Sequence, residues 1–99
     1  MLEKEVERHL VKAIKAKGGL CLKFNCLSMA GVPDRIVLLP YGQFAFVEVK
    51  APGKKLRALQ VKRKQQFEKL GFKVFIMDEL DKVNAFIDEV ENGYEVCST

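Results

Sequence analysis

The first part of the chain places apolar residues at the spacing of an amphipathic helix. They recur every three or four positions, at Leu2, Val6, Leu10, Ala13 and Ile14. Gly18 and Gly19 follow, and glycine commonly ends a helix because it tolerates the left-handed backbone conformation. The pattern predicts a helix over residues 2–17 with one face directed towards a core.

Three short apolar segments come next, and each is rich in branched or aromatic side chains. They span residues 20–24, 36–39 and 44–49, and this composition is typical of β-strands. The sequence Pro-Tyr-Gly-Gln at residues 40–43 separates the last two segments and has the composition of a hairpin loop. We therefore expect a short strand followed by a β-hairpin.

The second half of the chain predicts a helix, a strand and another helix. A helix over residues 56–70, ended by Gly71, has an expected inward face of Leu56, Leu59, Phe67 and Leu70. Residues 72–77 form a nearly continuous apolar run, as a central strand does. Asp78 can then cap a final helix, whose apolar residues are Leu80, Val83, Phe86, Ile87 and Val90. From about residue 92 we expect a frayed tail.

This order of elements predicts an α/β fold. Helices on both faces of a mixed four-stranded sheet would bury all of the apolar surfaces. The expected arrangement is an αβββαβ core followed by a C-terminal helix.

Three charged residues fall at one end of the predicted hairpin. Glu48 and Lys50 share a face of their strand because side chains alternate. If the turn is centred near residues 41 and 42, Asp34 lies opposite Val49, whereas a one-residue change in loop length places it beside Glu48. Two neighbouring carboxylates repel, and a divalent cation such as Mg²⁺ or Mn²⁺ relieves that repulsion while leaving positions for water and phosphate. The alternative is a simple salt bridge of Lys50 with one of the acids.

Length and composition indicate one ordinary globular domain, covering residues 1–99. The chain is 48% hydrophobic and 30% charged, which is typical of a folded protein. No apolar run approaches the roughly 20 residues that span a bilayer. The first residues, Met-Leu-Glu-Lys-Glu, do not resemble a signal peptide, so we expect a cytoplasmic protein without a membrane partner.

The cysteines and the histidine argue against two other kinds of site. Cys21, Cys26 and Cys97 contain no Cys-x-x-Cys pair, and His9 is the only histidine. Zinc sites draw their ligands from clusters of these residues, so a zinc site is not expected. A single histidine also disfavours Ser-His or Cys-His catalysis.

The net charge of +4 is unevenly distributed along the chain. Every charged residue between positions 50 and 64 is basic, whereas positions 78–95 are acidic apart from Lys82. A basic surface beside a carboxylate site is what cleavage of a polyanion requires. A solvated helix face would explain a lysine run alone, but this run begins directly at Lys50.

These motifs together resemble a known group of proteins. Pro33-Asp34, followed after a hairpin by Glu48-Val49-Lys50, resembles the signature of the PD-(D/E)XK nuclease superfamily, whose restriction-endonuclease-like core has the αβββαβ order. More specifically, the sequences Gly-Val-Pro-Asp-Arg at 31–35, Glu-Val-Lys-Ala-Pro-Gly at 48–53 and Leu-Gln at 59–60 resemble the VRR-NUC domain family. The resemblance covers almost the whole chain.

The resemblance implies hydrolysis of DNA phosphodiester bonds with Mg²⁺ or Mn²⁺ as cofactor. Asp34, Glu48 and the backbone carbonyl of Val49 would bind the metal, and Lys50 would position the attacking water. Gln60 would support the site by hydrogen bonding. The first helix is similar to that of archaeal-type Holliday-junction resolvases, which implies Glu7 as a third metal-site carboxylate, with Glu3 as its alternative.

The resemblance also implies partners. The residues expected to contact DNA phosphates are Arg35, Lys54, Lys55, Arg57, Lys62 and Lys64. Small stand-alone members resemble Holliday-junction resolvases, so we expect structure-selective cleavage of branched DNA by a homodimer in a bacterial or phage-infected cell. The alternatives are a catalytically weak DNA-binding subunit of the same fold, a nickase, flap or restriction-type nuclease, or a metal-free interaction domain.

Overall fold

The computed structural model describes residues 2–98, with side chains placed as far as Val90. Its helices and strands follow the predicted order, and their bounds are α1 Glu3–Ala16, β1 Leu20–Lys23, β2 Arg35–Leu39, β3 Gln43–Val49, α2 Ala58–Lys69, β4 Val74–Met77 and α3 Leu80–Ser98. A short 3-10 turn at Pro40–Gly42 joins β2 to β3. The predicted α/β fold with a mixed four-stranded sheet is confirmed.

The four strands form one sheet in the order β1-β2-β3-β4. The first three strands are antiparallel, and β4 runs parallel to β3 because α2 carries the chain back across the sheet. Arg35 pairs with Val47 and Leu39 pairs with Gln43. Continuing this register by one step places Asp34 beside Glu48, which is the second of the two expected pairings.

The hairpin loop explains this register. Gln43 belongs to β3, so the loop contains three residues instead of the four expected from composition. Tyr41 adopts a positive φ of 66° within it, a conformation that closes tight turns. The shorter loop brings the two carboxylates to adjacent positions on one face.

The main core lies on the side of the sheet covered by α1 and α3. Val37 and Val47 point into it from the strands and are fully buried. The helices contribute Val6, Leu10, Ile14, Val83, Phe86, Ile87 and Val90. This packing follows from the helical spacing of α1 and α3 and from the alternation of side chains along β2 and β3.

The other face of the sheet is only partly covered, by α2. Phe67 packs its ring against Phe46 at a centroid distance of 4.7 Å, as expected for an inward residue. Leu59 and Leu70, also expected inward, are 40% and 76% exposed. The inward orientation predicted for these two leucines was wrong, because Gln60 is the residue of α2 that is buried against the sheet.

The last helix is longer than expected. Its backbone is helical as far as Ser98, and fraying of the chain from about residue 92 stays a prediction. The apolar spacing of Ile87 and Val90 continues at Tyr94 and Cys97, which favours continuation of the helix. Within residues 2–98, no helix is both long enough and apolar enough to cross a membrane.

Candidate active site

Asp34 and Glu48 lie together where β2 begins and β3 ends. Asp34 is half-buried, and its Oδ1 accepts a hydrogen bond of 3.1 Å from the backbone N–H of Val49. Glu48 is 6% exposed although it carries a carboxylate. A buried carboxylate without compensation is costly, so the groups around Glu48 decide what this site can do.

Gln60 is one of those groups. Its Nε2 donates a 2.8 Å hydrogen bond to Oε2 of Glu48, and its Oε1 accepts a 2.9 Å bond from the backbone N–H of Arg57. Gln60 is 8% exposed, and these two bonds fix which way its amide points. The side chain therefore ties the N-terminus of α2 to the carboxylate of Glu48 and sets the orientation of that carboxylate.

Lys50 approaches the same carboxylate from the end of β3. Its Nζ lies 3.7 Å from Oε2 of Glu48, and its side chain is 14% exposed. The backbone N–H of Lys50 donates a 2.8 Å hydrogen bond to the carbonyl of Met77 at the end of β4. The parallel pairing with β4 thus holds the Lys50 main chain where its ammonium group reaches the site.

Burial makes both acids unusually weak. Desolvation, opposed by the hydrogen bond from Val49, raises the pKa of Asp34 to about 6, and the charges of Glu7 and Glu3 contribute to the increase. Desolvation and the charge of Asp34 raise the pKa of Glu48 to about 7, although Lys50 acts in the opposite direction. Strongly perturbed carboxylates at a cleft are typical of functional sites.

Glu7, which the resemblance implies as a metal-site carboxylate, is paired with a cation in the structure. Oε2 of Glu7 accepts a 3.2 Å hydrogen bond from Nε of Arg35. The same oxygen lies 3.0 Å from Nη2 of Arg35, which makes the pair a salt bridge. Nη1 of Arg35 donates to the carbonyl of Cys21 at 3.2 Å. Glu7 is therefore engaged with a cation next to Asp34, and it is Glu3, one turn earlier in α1, that lines the cavity with Asp34 and Glu48.

Arg35 is consequently a poor candidate for the expected contact with phosphate. It is only 9% exposed, and its guanidinium is used by Glu7 and the carbonyl of Cys21. The sequence pattern could not reveal this, because an arginine next to an acid motif looks the same whether it faces solvent or an ion pair. Arg35 instead connects α1 to β1 and β2 beneath the site.

The two acids open onto a cavity of about 830 Å³. Its lining includes Lys50 and Arg57, together with residues 24–27 and 29–32 of the segment that connects β1 to β2. Among the described residues, no three His, Cys, Asp or Glu side chains converge as one metal-binding group. The cleft is thus lined by three acidic residues, Glu3, Asp34 and Glu48, and by two basic residues, Lys50 and Arg57.

The remaining predicted phosphate contacts spread outward from this cleft. Lys54, Lys55 and Lys62 are exposed, and the first two lie in the turn that directly follows Lys50. Lys64 donates to both carboxylate oxygens of Glu68, at 3.1 and 2.9 Å, one helical turn further along α2. Its positive charge is therefore partly compensated.

Sequence reasoning missed the contacts that hold the loop over residues 24–32 in place. Nε of Arg63 donates a 2.8 Å hydrogen bond to the carbonyl of Ala30. Gly31 adopts a φ of +82° and packs closely on Leu59. A Cβ atom added to Gly31 would lie only 2.7 Å from Cγ of Leu59. The glycine was a visible signal, but nothing in the sequence specified its partner.

Comparisons with known proteins agree with this architecture. The sequence of residues 2–78 matches the family model of the VRR-NUC domain. A protein of Acyrthosiphon pisum secondary endosymbiont phage 1, named "Putative nuclease p44", is 40% identical over 79 residues, which cover 80% of this chain and 85% of that protein. A solved structure of a VRR-NUC domain superposes with a TM-score of 0.82 at 32% identity, covering 87% of this chain and 94% of the other. The chain belongs to the VRR-NUC domain family.

Proposed function

We propose that this protein is a metal-dependent endonuclease that hydrolyses DNA phosphodiester bonds. The observation that carries the proposal is the pair of adjacent carboxylates at an open cleft, half-buried Asp34 and buried Glu48, with Lys50 Nζ 3.7 Å from Oε2 of Glu48. Membership of the VRR-NUC family and the relative named as a nuclease support the same chemistry.

The donor set fits a hard divalent cation. Asp34, Glu48 and the backbone carbonyl of Val49 would hold Mg²⁺ or Mn²⁺, and Mg²⁺ in particular binds through one or two carboxylates while keeping several waters. This fits a site in which no third acidic side chain of the described residues joins the pair. When bound, the cation supplies activation of water and neutralises charge developing on the phosphate.

Four side chains prepare the site for this reaction. Lys50 is close enough to Glu48 to orient a water molecule and to stabilise its hydroxide form. Gln60 donates to Glu48 and keeps one carboxylate oxygen in a fixed direction. Glu7, which the resemblance implied as a ligand, would act through Arg35, whereas Glu3 at the cavity wall would orient water.

The basic residues around the cleft would bind the DNA backbone. Arg57 lines the cavity itself, the exposed side chains of Lys54, Lys55 and Lys62 would add positive charge, and Lys64 would contribute less. Phosphate contacts fix the position of DNA without reading its sequence. We therefore propose selectivity for DNA structure, of the Holliday-junction type, instead of selectivity for sequence.

A symmetric cut on two strands requires two copies of a one-site chain, so we propose a homodimer. An apolar row of Leu20, Leu38, Phe44 and Phe72 supports this. Leu38 pairs with Leu20 on one neighbouring strand and with Phe44 on the other, and the ring centroids of Phe44 and Phe72 are 6.1 Å apart. These four side chains are 36% to 57% exposed. A contiguous exposed row across three strands is typical of an interaction surface, and we assign it to a second copy of this chain.

The cellular setting follows from the same reasoning. Cys21 and Cys26 are free thiols, which suits a reducing compartment, and the curated relative is a phage protein. We place the protein in the cytoplasm of a bacterial or phage-infected cell.

The test is cleavage of labelled four-way junction, flap and linear duplex with Mg²⁺, Mn²⁺ or EDTA. We expect metal-dependent, paired cuts that are fastest on the junction. Similar rates on all three DNAs would contradict structure selectivity, and preference for a flap or a single nick would favour the other nuclease types. Tight binding without cutting in either metal would indicate a DNA-binding subunit.

A further inference from the structure

The residues that line the active-site cleft fall into two groups of different chemistry. Lys50 and Arg57 are its basic residues. Most of the loop over residues 25–32 also lines it, and this loop, with the sequence Asn-Cys-Leu-Ser-Met-Ala-Gly-Val, contains no charged residue. Phosphates would be attracted to the two basic residues, which leaves the uncharged loop to face the bases.

This loop, which we name the 25–32 loop, is fixed at both ends. At its start, the backbone N–H of Phe24 donates a 2.9 Å hydrogen bond to the carbonyl of Asp34, and the Phe24 ring lies 5.7 Å from that of Phe46. At its end, Arg63 of α2 donates to the carbonyl of Ala30 at 2.8 Å. The anchors come from the sheet and from α2, so the position of the loop is tied to that of the catalytic acids.

The tip of the loop points an apolar side chain into solvent. Leu27 is fully exposed, at 105% of its reference area, and Met29 nearby is 36% exposed. On either side of Leu27, Sγ of Cys26 and Oγ of Ser28 are 3.4 Å apart and bridge the tip. A single exposed leucine elsewhere needs no explanation, but this one lines the same cavity as Asp34 and Glu48.

An exposed leucine on an anchored loop is suited to inserting between bases. Apolar side chains such as leucine and methionine act as wedges that unstack base steps in bent DNA. The energetic cost of opening is smallest where a base is already unpaired, and burying the side chain between bases is favourable by the hydrophobic effect. Lys50 and Arg57 would meanwhile hold the backbone.

We propose that Leu27, supported by Met29, inserts beside unstacked bases at a branch point next to the scissile phosphate. This inference rests on the proposed DNA cleavage at the same site and names its substrate class as DNA with unpaired or unstacked bases. Leu27 is then a specificity-determining residue, because it favours branched DNA over continuous duplex.

The test compares Leu27→Ala with Leu27→Met and with Leu70→Ala. Leu70 is 76% exposed at the end of α2 and is not part of the cavity wall. The readout is the ratio of cleavage rates on four-way junction and on linear duplex. We expect Leu27→Ala to lower this ratio about tenfold, in line with the lost burial of one leucine side chain, and the other two variants to keep it.

A second readout does not depend on cleavage. In the Glu48→Gln background, 2-aminopurine at the branch point should become more fluorescent when protein binds, and Leu27→Ala should abolish the increase. An unchanged ratio and unchanged fluorescence would overturn the inference while leaving DNA cleavage intact. Wild-type protein that cuts no DNA but still unstacks the branch point would instead refute the proposed nuclease and retain the wedge.

Discussion

At the scale of single residues, the site depends on how one buried carboxylate is held. Oε2 of Glu48 accepts a 2.8 Å hydrogen bond from Nε2 of Gln60 and lies 3.7 Å from Nζ of Lys50. A hydrogen bond donated to a carboxylate favours its charged form, so Gln60 keeps Glu48 easier to deprotonate than burial alone would allow.

Replacing Gln60 should therefore weaken the site without removing a ligand. Gln60→Ala removes the only side-chain donor that we find to Glu48 besides Lys50 among the described residues, and it should raise the carboxyl pKa further. We expect the metal concentration for half-maximal cleavage to rise about 10–100-fold, as for other groups that orient metal ligands. Gln65→Ala, an exposed position on the same helix, is the control, and an equal effect there would contradict this role.

The raised pKa values predict how stability depends on pH when no metal is bound. The pKa rises from 3.8 to about 6 for Asp34 and from 4.5 to about 7 for Glu48 on folding. The folded protein then binds more protons than the unfolded chain between about pH 4 and 7. The free energy of unfolding must decrease as pH rises through that window.

Thermal unfolding measures this directly. In EDTA, Tm should fall between pH 5 and pH 8, and Glu48→Gln should raise Tm at pH 8 by several degrees, since 1 kcal/mol corresponds to about 4–8 °C in a domain of this size. Glu89→Gln, an exposed carboxylate on α3, is the control. A Tm that rises steadily from pH 5 to pH 8 in EDTA would contradict the assignment.

The sequence identified the acids because their chemistry is unusual in that position, yet it could not identify their neighbours. Asp34 and Glu48 stand out as charges at the ends of apolar strands. The ion pair of Glu7 with Arg35 joins residues 28 positions apart, and such pairing depends on how α1 lies across the sheet. Helical spacing alone could not decide between Glu7 and Glu3.

At the scale of elements, the two helices with regular apolar spacing were predictable and α2 was not. α1 and α3 bury a continuous stripe, so their inward residues follow from periodicity. The sequence of α2 is dominated by lysine, arginine and glutamine, and its buried residue is Gln60. Its place in the fold is set by the site and by the ring contact of Phe67 with Phe46.

The turn that follows β3 provides the next prediction. Lys54 and Lys55 are exposed there, directly after Lys50, and should contact DNA phosphates. Replacing both by alanine should reduce the slope of log affinity against log salt by about 2, because each phosphate contact contributes about 0.9. Binding of a junction by the Glu48→Gln protein at several salt concentrations gives this slope.

The matched control for that measurement is Lys15→Ala combined with Lys17→Ala. These lysines lie at the C-terminal end of α1, at the end of the sheet where the hairpin turns and away from the acids. The slope should not change for the control pair. Equal changes in both double variants would mean that DNA does not bind along the turn after β3.

At the scale of the whole molecule, the sheet has one covered and one partly open face. α2 lies over the end of the open face that carries the acids, and the apolar row of Leu20, Leu38, Phe44 and Phe72 is left exposed near the hairpin loop. A dimer formed through this row would leave both clefts accessible to DNA. Together the four side chains form a contiguous apolar patch, which is larger than the surface that a single exposed apolar residue presents.

Disrupting the row should separate the copies. Leu20→Glu changes the most exposed of the four side chains, at 57%, so the fold should tolerate it. Light scattering should show the mass of two chains for the wild type and of one chain for the variant, and paired junction cuts should become single nicks. Val61→Glu, 40% exposed on α2, should remain dimeric; a dimeric Leu20→Glu protein would exclude this surface.

The central claim is that Asp34 and Glu48 form a divalent-metal site that cleaves DNA. The most direct measurement is the initial rate of junction cleavage with Mg²⁺ for wild type, Glu48→Gln and Glu89→Gln, repeated in EDTA. We predict that Glu48→Gln and EDTA each reduce the rate at least about a hundredfold, since even groups that only orient a ligand contribute 10–100-fold, whereas Glu89→Gln matches the wild type. Undiminished cleavage by Glu48→Gln, or cleavage in EDTA, would contradict the account.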